Sequence, residues 1–225
     1  MKHYLARIDK ASFEDDKSTL QIIVDENILE ELQRYKTTVM EIAIADNRTI
    51  TPEQRGKIYA TLRDISNHLG HLVSDLKEIF KCILIERTGC NWFSLSDCSV
   101  TTAREYINIL LEFCLEVGIP LSDLALNRTD DISNYLYYCI KTRTCCITGK
   151  RNADIHHVEG SRVGMGGNRN KIDNRDRELI ALSREWHNKV HAEGEEEIFS
   201  LYHIYGIKVD EETLKDLGLS VKDIS

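Results

Sequence analysis

The sequence predicts an α+β protein in two parts, and three observations carry that prediction. Short apolar runs rich in β-branched residues open the chain, at Thr19 to Val24 and Thr38 to Ala45. From Thr51 to Gly118 the period lengthens to that of amphipathic helices with capped ends. From Cys145 to Gly194 a short extended run, a glycine-rich connector, a second apolar run and a helix follow one another, and this stretch holds four of the eight histidines.

Taken in order, residues 1 to about 50 read as mainly strands, with a turn at Glu14, Asp15 and Asp16 and a short helix at Asn27 to Tyr35 that turns Ile28, Leu29 and Leu32 inward. The first capped helix starts at Thr51-Pro52-Glu53-Gln54, where a threonine cap, proline at the first helical position and glutamine three residues after the cap form a capping box. Ile58, Leu62, Ile65 and Leu69 make its apolar stripe, and Gly70 closes it. A second helix spans about Leu72 to Glu86 with Leu76, Ile79, Phe80 and Ile83 inward, and the aromatics of Trp92-Phe93 read as core rather than as base-stacking platforms. A third helix begins at Thr102, with Tyr106, Ile109, Leu110, Phe113 and Val117 as its buried stripe, and Gly118 and Pro120 stop it. Asp131 to Lys141 is a fourth helix, placed beyond a short linker from Ser122 to Asp130. Two more helices, Glu195 to Tyr205 and Asp210 to Leu217, close the chain, and their acidity argues against contact with a polyanion. The boundary between the two parts falls at residue 125, giving domains of 1–125 and 126–225.

Composition narrows the class. Of 225 residues, 42% are hydrophobic and 29% charged, as a soluble globular chain requires. No apolar run is long enough to span a bilayer, and the start, MKHYLARIDK, lacks the apolar core of a signal peptide, so the expected location is the cytoplasm. Seven cysteines without a framework spacing then read as reduced thiols. The net charge of −8 is unevenly spread: Lys141 to His191 holds eleven Lys and Arg against six Asp and Glu, a net of +5, which leaves −13 for the remainder. A basic island around the histidines suits a phosphate backbone, with Arg143, Lys150, Arg151, Arg162, Arg169, Lys171, Arg175 and Arg177 as candidate DNA contacts.

The histidine spacing points to chemistry. His187 and His191 lie four apart on a helix and share one face, so they can offer two imidazoles to one ion. His156 and His157 are neighbours on a strand and point to opposite faces. One of them completes a metal site with the helical pair, and the other is left as a proton acceptor near neutral pH. Asp154 and Asp173 read as ligands or as loop-structuring carboxylates.

The order strand with His156-His157, glycine-rich loop (Gly160, Gly164, Gly166, Gly167), strand Leu179 to Leu182, then helix with His187 and His191 resembles the ββα-metal fold of HNH endonucleases. Position by position, the resemblance implies His157 as the general base that deprotonates the attacking water. It implies His156, His187 and His191 as ligands of one divalent ion, Mg or Mn first, with Zn or Ni open. Two departures stand out. Cys145-x-x-Thr148 and Ser183-x-x-Trp186 occupy the places of a structural zinc knuckle, so none is expected and apolar packing, with Trp186 as candidate, takes over. The asparagine of the motif falls on Glu178, leaving Asn168, Asn170 and Asn174 as substitutes.

Residues 49 to 121 are similar to the NinB/Orf family of phage recombination proteins, through ITPEQRGKIYATLRDIS and SLSDCSVTTAREYINILLEFCLEVGIPL. That likeness implies binding to single-stranded DNA, association with the host single-strand binding protein and a homodimer. Gln54, Arg55, Lys57, Ser99, Thr101 and Arg104 then stand between DNA contact and ordinary surface roles. The two resemblances together imply an endonuclease of phage recombination acting on single-stranded or branched DNA. The alternative is a binding protein, a recombination mediator whose nuclease-like half only grips DNA.

Overall fold

A computed structural model describes residues 6–14, 16–24, 27–29, 32–33, 48–158, 173–219 and 221. At its start β1 (Ala6–Glu14) and β2 (Lys17–Val24) pair antiparallel. The turn between them uses Asp16 at φ 58°, a left-handed conformation that Asp tolerates better than most residues. The acidic turn of the sequence reading is therefore present, and β1 is a strand that reading did not name. Of the short helix expected at Asn27 to Tyr35, the described part keeps one helical hydrogen bond, Leu32 N–H to Ile28 O at 3.0 Å, but Leu29 is exposed rather than inward. The strand expected at Thr38 to Ala45 lies outside the described residues.

The helical half consists of α1 (Pro52–Leu69), α2 (Val73–Thr88) and α3 (Val100–Val117). The capping box at Thr51 and Gln54 is complete in both directions, at 3.1 Å each, and Ser99 caps α3 through the Thr102 N–H. Both arrangements satisfy donors that a helix start leaves unpaired. Ile58, Leu62 and Ile65 from α1, Leu76, Phe80 and Leu84 from α2, and Tyr106, Ile107 and Leu110 from α3 form one apolar core. Three stripe positions differ from expectation: Leu69 is exposed at the last turn of α1, and Ile79 and Val117 are about half exposed, because the α2 stripe runs through Leu76, Phe80 and Leu84 and the α3 stripe through Tyr106, Ile107, Leu110 and Cys114. Phe93 packs edge-on against Tyr106, whereas Trp92 is 63% exposed with the Lys81 ammonium 5.2 Å from its ring, so only one of the two aromatics is core.

The stretch expected to be a linker is stitched down. It carries a 3-10 turn (Ala125–Asn127) followed by Arg128, which is 5% exposed. Arg128 donates to Asp123, to Thr61 Oγ1, to Asp64 Oδ2 and to Ser122 Oγ, tying the connection to α1. Lys57 adds an ion pair to Asp130 at 2.6 Å.

The second half begins with α4 (Ile132–Lys141), whose Tyr135, Leu136, Cys139 and Ile140 are buried. Beyond it β3 (Asp154–His157) and β4 (Leu179–Leu182) pair antiparallel, His156 opposite Ile180 and His157 opposite Leu179. All four residues of β4 are fully buried, as a central element requires, since α4 packs on it and Cys146 N–H bonds to Ala181 O. Then come α5 (Arg184–Glu193), α6 (Glu195–Tyr202) and α7 (Glu211–Asp216). Between the last two, Gly206 and Ile207 pass against the sheet, with Ile207 bridging Leu179; a Cβ on Gly206 would clash with Val158 Cγ2. The second apolar core is built from α4, β4, Cys145 to Ile147, Val190, Ile198, Ile204 and Leu214, with Leu115 of α3 reaching into it. Among the described residues, no helix is long and apolar enough to cross a membrane.

Candidate metal centre

Ser183 starts α5 by accepting from Trp186 N–H, and this cap fixes the helix phase so that His187 and His191 face β3. Trp186 stacks edge-on against Tyr202 of α6 at 5.2 Å and Val190 is fully buried, which pins the opposite flank of the helix. The position that would carry a zinc ligand in a knuckle therefore serves as a helix cap. Cys145 and Cys146 are buried in the apolar core, and Cys145 Sγ accepts from Thr148 N–H within the turn.

The three imidazoles of His156, His187 and His191 converge. Their ring centroids are 4.8, 5.0 and 4.9 Å apart, and one ligand nitrogen from each lies within 4.8 Å of the others. His157, one residue further on β3, belongs to the other face and is not a member of this group. The alternation of a strand thus sends the adjacent pair to opposite faces of β3. Nitrogens bound tetrahedrally at about 2.0–2.1 Å stand about 3.4 Å apart, so a bound ion needs these rings to draw in by about an ångström or less. The donor set, three imidazoles of which two are buried, fits a borderline divalent cation. Burial holds the His156 pKa below its ordinary value, with the Glu195 hydrogen bond opposing it, so the ring is neutral and able to ligate at neutral pH.

Carboxylates orient two of these rings. Asp154 Oδ2 lies 3.1 Å from His187 Nδ1, and its other oxygen pairs with Arg184 at 3.1 Å. A carboxylate only accepts, so Nδ1 carries the proton and the lone pair sits on Nε2. Asp154 and His156 are two apart on β3 and share its face, a period-2 relation that could have marked Asp154 as an orienting residue. Asp173 instead clasps Arg175 through both oxygens.

The prospective base is also held. His157 is 8% exposed and its Nε2 lies 3.0 Å from Asn174 Oδ1, with Asn174 itself buried. The amide oxygen accepts, so His157 donates from Nε2 and its lone pair is on Nδ1. Of the three asparagines considered as substitutes, Asn174 stands next to His157, while Asn168 and Asn170 lie outside the described residues. Glu178 is exposed, and its main-chain carbonyl accepts from Val158 N–H at 3.1 Å, continuing the β3–β4 ladder past His157.

The basic residues fall into two kinds. Arg143 donates to Leu217 O, Arg151 to Leu115 O and Glu116 O at the end of α3, and Arg177 to Asp173 O. Arg175 pairs with Asp173 and Glu211, which hold its pKa above the ordinary arginine value. Lys150 is exposed, with Glu185 at the start of α5 at 4.0 Å. Arg162, Arg169 and Lys171 lie outside the described residues. In the helical half, Gln54 is spent on its cap and on Val100 O, Arg55 on Leu95 O and Ser96 O, Lys57 on Glu53 and Asp130, and Ser99 on its cap.

Glu195 is a residue the sequence reading placed on an acidic surface. It is 5% exposed, with Oε1 2.9 Å from His156 Nε2. The available signal was Gly194 directly before it: a glycine closing the His-x-x-x-His helix lets the chain fold back on the site.

A family model whose description reads "Putative HNHc nuclease" matches residues 21–220. Comparison with curated proteins and with solved structures returned no match.

Proposed function

The chain belongs to this HNHc nuclease family, and on that premise we propose that it is a metal-dependent DNA endonuclease. The observation that carries the proposal is the convergence of His156, His187 and His191 on one face of β3, with His157 held by Asn174 on the other. His157 accepts the proton of the attacking water at Nδ1, and Asn174 keeps the ring in the tautomer that can do so. Asp154 keeps a lone pair of His187 on the ligand side. His156, His187 and His191 would hold the divalent ion, which would supply positive charge to stabilise the negative charge that builds as the phosphodiester breaks.

Among the basic residues, exposed Lys150 is best placed to meet phosphate, while Arg143, Arg151, Arg175 and Arg177 are assigned to shaping the surface around it. The likeness of residues 49–121 to phage recombination proteins extends the proposal to single-stranded or branched DNA as substrate.

Incubation of supercoiled plasmid and of single-stranded, flap and junction substrates with Mg or Mn tests the reading. Nicking that a chelator stops is the expected result. Binding without cutting in every divalent ion would replace the enzyme with a recombination mediator.

A further inference from the structure

Glu195 starts α6, yet among the described residues it is one of the most buried charged ones. Gly194 puts it there. This glycine ends α5 and precedes α6 at φ 103° and ψ 151°, a conformation that L side chains rarely adopt, and so lets the chain turn from one helix into the next within one residue. The first residue of α6 is thereby brought back onto β3, where its Oε1 stands 2.9 Å from His156 Nε2. A glutamate on a solvated face needs no such turn, and a buried carboxylate is tolerated only when it is hydrogen-bonded.

We propose that Glu195 is a positioning residue of the metal centre, accepting the Nε2 proton of His156 and so keeping the ligand lone pair on Nδ1. The inference rests on the nuclease reading of the histidine trio and adds to it a residue from outside the strand–strand–helix motif. It also reveals a cross-bracing: Asp154 on β3 orients the helical ligand His187, while Glu195 on α6 orients the strand ligand His156. Partners of this kind are worth about 10–100-fold in metal affinity.

The test is Co(II) binding by calorimetry to the full chain, with circular dichroism for folding, in wild type, Glu195→Ala, Glu195→Gln and, as a control, Glu196→Ala at the exposed neighbour. The expected result is a Kd raised about 10–100-fold in Glu195→Ala, raised less in Glu195→Gln, whose amide oxygen still accepts from Nε2, and unchanged in Glu196→Ala. Should Glu195→Ala not fold, Glu195→Gln decides alone: a weakened Kd supports the role and a wild-type Kd ends it. Wild-type Kd in both Glu195 variants reduces the residue to packing. A Gln variant as weak as the Ala variant, with an altered visible Co(II) spectrum, makes Glu195 a direct ligand and overturns the positioning role. No Co(II) binding by the wild type would sink the nuclease reading itself, a result distinct from the others.

Discussion

The two halves of this chain spend their buried polar groups differently. In the helical half, Gln54, Thr61, Lys81, Glu112 and Arg128 are buried, and each serves a local purpose: a capping box, a helix-to-loop stitch, an ion pair within one helix or to a neighbouring helix. In the second half, His156, His157, Asn174, His187 and Glu195 are buried around a two-stranded sheet of four residues per strand. Burying polar groups costs free energy unless they are paired. The second half collects five of them in one place, paired through carboxylates and an amide, where the helical half disperses its own.

That contrast can be broken by substitutions on either side of it. The largest effect is expected from His157→Ala, which lowers the rate of DNA cleavage by about 10²–10⁴-fold while thermal stability and metal binding stay near wild type; equal losses of all three would make His157 structural. Arg128→Met, in the helical half, should do the reverse. Leaving Asp64 and Asp123 without their partner costs on the order of 3 kcal/mol in urea denaturation, with metal affinity intact; a loss of metal affinity would show that the halves are coupled more tightly than two cores suggest. Gly206→Ala places a methyl against Val158 beside the base and should destabilise by about 1–3 kcal/mol, measurable as a lower Tm with little change in metal Kd.

The smallest effect concerns Asp210, the cap of α7. The Thr213 backbone N–H, followed by its hydroxyl, holds the Asp210 pKa down at about 2. A carboxyl whose folded pKa is depressed contributes stability above its unfolded value, near 4, and loses it as pH falls toward about 2. Asp210→Ala should therefore lower stability by about 1 kcal/mol or less at pH 7, and the gap to wild type should narrow below pH 4. A gap that stays constant down to pH 2 would remove the charge from the explanation.

Local rules located the three long helices and the histidine spacing, although the third helix starts at Val100 on a Ser99 cap rather than at Thr102. The capping box at Thr51, the glycine ends at Gly70 and Gly118, and the four-residue spacing of His187 and His191 are short-range patterns, and each appears in the structure. What escaped depends on the chain returning to itself. Glu195 reaches His156 only because Gly194 bends the path, and Arg128 turns an apparent linker into a fastening only because α1 lies beneath it. Asn174 could not be separated from Asn168 and Asn170 by composition, and it is folded geometry that sets it 3.0 Å from His157. Trp92 next to Phe93 illustrates the same limit: in an irregular segment no period says which aromatic turns inward.

Counting ions bound to purified full-length chains tests the division of labour on β3 most directly. Equilibrium dialysis against Mn(II) or Co(II) should find one ion per chain in the wild type and in His157→Ala, and none in His187→Ala. An ion retained after loss of His187, or lost with His157 alone, would contradict the assignment of three imidazoles to the metal and the fourth to the water.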